Sequence, residues 1–426
     1  MLTKERVAGI TKGLLFFNAV IAESILRHRE FAEKSIDFQI IVKMGMWAIT
    51  FAFCAYCFRL WVGKLTRIDK FMEVLLLAIV VVACFYAPNI LYSLASAFSL
   101  FSVFFLLFLS SALLKNKEIL WPIILGSTLV SAVSIVVYFV NPEFGRMIEL
   151  HGNVLEPGKR LTGITGTANV AGYISAFTCL ALYNYRRYIP NRIPLYFYAM
   201  IAINFAVLLL SNSRTSLAAL LLSIAVAEMV RLTLSRIIVF FSLICFLILF
   251  LMVVDIESIL VMATRSGDIS EITSGTGRSV IWSLVMRLIE ERPFFGWGYA
   301  STIFVLPAEG ASLGFAPAHA HNAVLQVLVS VGIVGFVPFA ALFLMKIYYA
   351  MKFRDPLNTS FMMFLVVESI TECIAFQGPA TLTSLVLATV LSLKFNEKNE
   401  TSYYPHQQRL SGPDAEPENE GYPQSR

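Results

Sequence analysis

Three arginines and a pair of histidines are the residues of this 426-residue chain whose types and placement can do chemistry. His319 and His321 lie in Ala-His-Ala-His-Asn, just before an apolar run. Histidine takes up a proton near neutral pH and serves as a general base. Their i,i+2 spacing, with no cysteine or third histidine nearby in sequence, is a poor metal set. No metal and no cofactor are therefore expected, and the plain alternative is a pair filling polar space at an interface. Arg214 lies in Leu-Ser-Asn-Ser-Arg-Thr-Ser, and Arg160 precedes Leu-Thr-Gly-Ile-Thr-Gly-Thr-Ala-Asn. Arg278 opens an amphipathic stretch, where a cation opposes the helix dipole. Each arginine has a bland reading, as a snorkelling or solvated side chain. The sharper one is anion binding: guanidinium forks match phosphate bidentately, and a small-residue helix start offers free amides. Glu368 and Glu372 are four residues apart and share a helical face. They suit a proton acceptor, a partner for an arginine, or a structural role, and Glu368 is taken with Asn322 as a supporting residue.

The elements that must position these groups are membrane spans. The chain is 58% hydrophobic and 14% charged, whereas a soluble domain carries about 25% charged residues. With a mean hydropathy of +0.73 it needs lipid as solvent, which makes it an all-α polytopic membrane protein. The net charge of +5 is modest and unevenly placed, so nucleic acid is not an expected partner. At about 20 apolar residues per crossing, roughly twelve spans are predicted. They cover residues 7–25, 38–60, 71–86, 94–114, 119–140, 163–183, 193–210, 215–230, 237–254, 323–347, 361–376 and 381–393. Most of the 33 lysines and arginines then fall on the side of both termini, which the positive-inside rule assigns to the cytoplasm.

Two segments on the other side are long: 141–162 and, between spans nine and ten, 255–322. The second carries an amphipathic helix with Ile281, Leu284, Val285 and Leu288 on one face. That face is expected against the bilayer or the bundle. Residues 1–393 form the transmembrane domain, and 394–426, polar and rich in Pro, Gly and Glu, read as a disordered cytoplasmic tail. Lys4 and Arg6 before an apolar run give the start a faint signal-peptide character. Lys12 interrupts that run, so an uncleaved first helix is expected. All six cysteines fall in apolar runs, and Cys54 and Cys57, despite redox-motif spacing, read as small buried hydrophobes.

His321-Asn322, nine residues, Gly332, two residues and Gly335 resemble a pattern of the O-antigen ligase and polymerase superfamily, which are bacterial membrane glycosyltransferases. Gly277-Arg278 with Trp282, then Glu291-Arg292-Pro293-Phe-Phe-Gly296-Trp-Gly298-Tyr, are similar to the segment preceding it. Ser213-Arg214-Thr215 and the run after Arg160 resemble family positions too. The likeness covers about residues 155 to 394. It implies a GT-C-like fold in the bacterial inner membrane and a metal-independent, inverting glycosyltransferase. The donor implied is an undecaprenyl-diphosphate-linked glycan; the acceptor is lipid A–core for a ligase or the growing polysaccharide for a polymerase. By position, Arg160, Arg214 and Arg278 are implied to grip the diphosphate, and His321 to orient or deprotonate the acceptor hydroxyl on the periplasmic face. Ligase and polymerase share the donor site and are not separated by these motifs. A lipid-linked glycan transporter or flippase is a different class that also suits arginines facing a cavity. No internal repeat relates the two halves, which speaks against it.

Overall fold

The computed structural model describes residues 2–27, 37–64, 68–151, 154–189, 193–230, 278–310 and 317–395. The expected ninth span, residues 255–277 of the long loop and the tail from 396 onward lie outside the described residues. The first half builds α1 (Lys4–Ile21), α2 (Phe38–Tyr56), α3 (Phe58–Trp61), α4 (Ile68–Cys84), α5 (Ile90–Leu113), α6 (Asn116–Val140) and α7 (Pro142–Gly145). A hairpin follows, β1 (Arg146–His151) and β2 (Val154–Leu161), then α8 (Ala168–Tyr185), α9 (Leu195–Ser211) and α10 (Arg214–Val230). The last part holds α11 (Arg278–Glu291), α12 (Thr302–Gly310), α13 (Ala323–Lys352), α14 (Pro356–Thr371) and α15 (Leu382–Ser392). Among the described residues, α2, α5, α6 and α13 are long and apolar enough to cross a membrane.

Helices in lipid gain little by hiding Leu from tails that are equally apolar, so contact comes from small residues and interhelical hydrogen bonds. Gly126 of α6 is such a contact, since a Cβ there would lie 2.8 Å from that of Ala19 on α1. Asn18 of α1 donates to Thr50 of α2 over 3.0 Å. Asn204 of α9 donates to Thr128 of α6, also over 3.0 Å. Aromatic rings fix the pair that matters most below: Tyr173 and Phe177, one turn apart on α8, each lie 5.2 Å from a ring of α14, Phe364 and Phe361 respectively. α10 packs along the same α14. Cys54, Cys57, Cys84, Cys179 and Cys373 are free and buried, in keeping with their apolar surroundings.

Several boundaries differ from the apolar runs. α8 starts at Ala168 rather than near 163, because residues 162–167 form a turn with Gly163 and Gly166 at φ 58° and 78°. Thr167 then caps the helix, accepting from the Val170 amide. α14 stops at Thr371, short of the expected 376, with Glu372 as its C-cap. The buried non-helical stretch that follows is tolerated because protein groups satisfy its backbone. Gln326 donates to the Phe376 carbonyl, Tyr299 to that of Gly378, and the Ala380 amide to Ser99. The segment 141–162, expected only as a long connection, holds an antiparallel hairpin that pairs Arg146 with Leu161.

α13 is broken at Gly332, whose φ of 62° no helix accommodates. Residues 293–298 dock into the break. The Trp297 and Gly298 amides donate to the Val329 and Ser330 carbonyls, and the Ile333 and Val334 amides return bonds to Pro293 and Phe294. A Cβ on Gly332 would lie 2.2 Å from the Phe294 carbonyl oxygen. This clasp ties α11 to α13. Leu284, Val285 and Leu288 of α11 are buried in a cluster with Val305, Leu306, Ala320 and Val329, so its apolar face turns to the bundle.

Candidate functional site

The site forms where α8, α10 and α13 begin and α9 and α14 end, at one end of the bundle. Arg160, at the end of β2, is buried. Its Nε donates to the Ser211 carbonyl at 3.0 Å and its Nη2 to Asn169 Oδ1 at 2.8 Å. Asn169 sits in the first turn of α8, and its amide nitrogen donates to Glu372 Oε1 over 2.7 Å. Arg278 at the start of α11 donates through Nη2 to the same oxygen over 2.9 Å. The other oxygen, Oε2, lies 3.7 Å from His321 Nδ1. That is too long for a direct hydrogen bond but well within electrostatic reach. An unbroken set of neighbours thus runs from Arg160 through Asn169 and Glu372 to Arg278 and His321.

Local chemistry explains each placement. Asn322 caps α13, its Oδ1 accepting from the Leu325 amide at 3.0 Å. Its Nδ2 donates to the Ile370 carbonyl at 3.1 Å, in the last turn of α14 two residues before Glu372. One side chain therefore sets both the helix that follows His321 and its distance from Glu372. His321 itself adopts φ 48°, a left-handed conformation uncommon in residues other than Gly. The loop before it is gripped from two sides. Trp282 of α11 donates to the Ala320 carbonyl over 3.1 Å, and the Ala320 amide donates to buried Gln326 over 3.1 Å.

Arg214 opens α10, three residues after Ser211, whose carbonyl receives Arg160. The turn is tight: Asn212 is left-handed at φ 48°, and a Cβ on Gly172 of α8 would lie 2.3 Å from that of Ser213. Ser213 and Ser216 share a hydrogen bond of 2.9 Å. Glu368 is fully buried on α14. Among the described residues neither of its carboxylate oxygens has a hydrogen-bond partner of good geometry, although the Ser216 hydroxyl lies beside it. Of the two glutamates, Glu372 rather than Glu368 meets Arg278 and His321. His319 stands 6.4 Å from His321, ring to ring. Burial, and then the neighbouring imidazole, push its pKa down to about 4, so it is neutral at neutral pH.

The four residues marked from sequence for phosphate and proton chemistry, Arg160, Arg214, Arg278 and His321, thus come from separate stretches of chain to one end of the bundle. Asn169, which couples Arg160 to Glu372, was not singled out, although it ends the small-residue run after Arg160. The arrangement sets the Arg278 guanidinium and the His321 imidazole on different oxygens of one carboxylate, with Arg160 joined to it through Asn169.

The family model described as O-Antigen ligase matches residues 197–340, which include Arg214, Arg278, His321 and Gly335. A protein of Rickettsia prowazekii (strain Madrid E), provisionally named a polysaccharide ligase, is 32% identical over 94 residues. That match takes in 20% of this chain and spans only 22% of the relative's length. No solved structure matches.

Proposed function

With the likeness to the O-antigen ligase superfamily as premise, we propose that the chain transfers a glycan from an undecaprenyl-diphosphate carrier to an acceptor hydroxyl. The acceptor in this reading is lipid A–core, met at the periplasmic face of the bacterial inner membrane. Residues 1–393 form a GT-C-like domain of about twelve spans, both termini are cytoplasmic, and the loop 255–322 is periplasmic. The observation that supports this most is the linked set Arg160–Asn169–Glu372–Arg278 with His321 beside it.

In this mechanism Arg160, Arg214 and Arg278 bind the diphosphate and stabilise the charge that grows on it as the bond from anomeric carbon to phosphate oxygen breaks. The bonding electron pair leaves with the diphosphate. His321 accepts the proton of the acceptor hydroxyl, whose oxygen forms the new bond at the anomeric carbon from the opposite face, inverting it. Nδ1 faces Glu372, which leaves Nε2 for the acceptor. The carboxylate holds the ring and stabilises the imidazolium. Arginine supplies the charge stabilisation, so the step is written without a metal. The polyprenyl chain stays in the bilayer and enters between helices.

The test is reconstitution: purified protein, lipid-linked glycan and lipid A–core, with chelator present. Glycan-bearing lipid A–core is the expected product. Extension of the lipid-linked glycan instead would make the protein a polymerase, and movement of the carrier without transfer would make it a transporter.

A further inference from the structure

Glu372 lies where a phosphate group would be expected to lie under the proposed function. Its Oε1 accepts one bond from Asn169 and one from Arg278, at 2.7 and 2.9 Å. Arg278 is a guanidinium that, under that function, binds the diphosphate. The same carboxylate is the group placed to orient His321, yet its free side stops 3.7 Å short of Nδ1. One carboxylate therefore faces two tasks in two positions. Held on Arg278, it neutralises the charge the donor needs and makes no short hydrogen bond to the imidazole. Moved onto His321, it frees that guanidinium and fixes the ring. The shift required is about 1 Å, within the reach of a side-chain rotation. Glu372 closes the end of α14 in extended conformation, so its side chain is not packed inside a helical turn.

We propose that Glu372 is a positioning residue that stands in for the donor's phosphate in the empty site. Arrival of the diphosphate displaces it from Arg278 onto His321, so that the base is set only when a donor is present. The physical ground is competition between anions. A diphosphate carries more charge and more acceptor oxygens than a carboxylate, and it wins a guanidinium fork. The displaced carboxylate has His321 as its nearest alternative, and the imidazolium formed during transfer strengthens that pair. The inference rests on the proposed function, since it needs the diphosphate to enter this site.

The test uses the full chain in nanodiscs of zwitterionic lipid, with undecaprenyl diphosphate and inorganic diphosphate as probes. Removing the competing charge in Glu372→Gln should tighten diphosphate binding by about tenfold, the worth of a charge-assisted hydrogen bond. The same substitution should lower kcat for transfer, so that affinity and turnover move in opposite directions. A purely structural glutamate would weaken both. Independently of any variant, a structure of the wild-type chain with diphosphate bound should show Glu372 within hydrogen-bond distance of His321 Nδ1 and parted from Arg278. Unchanged or weaker binding in Glu372→Gln, or a carboxylate still on Arg278 beside bound diphosphate, overturns the proposal alone. A wild-type chain that binds neither probe overturns it together with the proposed function.

Discussion

The side-chain amide of Asn169 donates to Glu372 over 2.7 Å, although 203 residues separate them in the chain. This bond joins the start of α8 to the end of α14 and brings Arg160, which holds Asn169 from the other side, into line with Arg278 and His321. Replacing Asn169 by Ala removes the connection while leaving every ionisable group in place. The expected result is full-length protein in the membrane with transfer reduced and diphosphate affinity changed. Wild-type kinetics in that variant would show that the linked set is incidental.

His321→Ala removes the proposed base without touching the cap supplied by Asn322. Transfer should fall by about 100- to 10,000-fold, the usual worth of a placed general base. Donor binding, read by calorimetry with undecaprenyl diphosphate, should survive. Activity near the wild-type level rules out His321 as the base.

Arg278→Lys keeps the charge and loses the planar fork. If the guanidinium stabilises the departing diphosphate, the lysine variant should resemble Arg278→Ala, with a barrier raised by about 2–4 kcal/mol. Arg214→Ala should likewise abolish transfer without loss of the protein from the membrane. Single-turnover rates decide, and full rescue by lysine would point to simple charge rather than a fork.

Gly332 carries the break in α13, with φ 62° and the Phe294 carbonyl where a Cβ would go. Gly332→Ala should cost about 1–3 kcal/mol in backbone strain alone. It should also open the 293–298 clasp to protease. Gly45→Ala on α2 is the control, since no described residue lies within 4 Å of a Cβ there. Equal melting temperatures for the two variants would contradict the clasp.

Burial holds His319 at a pKa of about 4, below its ordinary value. A group depressed in this way binds fewer protons folded than unfolded, so stability is fully present above the ordinary histidine pKa and is lost as pH falls toward 4. The melting temperature of the wild type should therefore drop between pH 6.5 and 4.5 more steeply than that of His319→Gln. Parallel curves would mean that His319 titrates like an exposed histidine.

Long apolar runs made the helices legible. α5, α6 and α13 lie close to where hydropathy put them, because lipid demands about 20 apolar residues whatever the neighbours are. Motif spacing marked His321 and the arginines. Other features were hidden for physical reasons. The hairpin alternates poorly, and β2 contains Pro157 and Gly158, residues that usually argue against a strand. α14 ends inside an apolar run, at Thr371, because tertiary hydrogen bonds satisfy the backbone beyond it, and apolar composition carries no record of such bonds. For the same reason Glu368 and Glu372 were indistinguishable as an i,i+4 pair, until the helix end separated a buried position from one facing the arginines.

The clasp at Gly332 also dictates an order of biogenesis. Residues 293–298 leave the ribosome before 329–334, the partners that satisfy their amides and carbonyls. Until α13 has been inserted, that earlier segment must keep its polar backbone in water or on a chaperone. Only then can it lock into the break, carrying α11 and Arg278 with it. Membrane insertion of α13 is thus the event that seats α11, and a ribosome stalled before residue 334 would hold a nascent chain in which that clasp is still unmade.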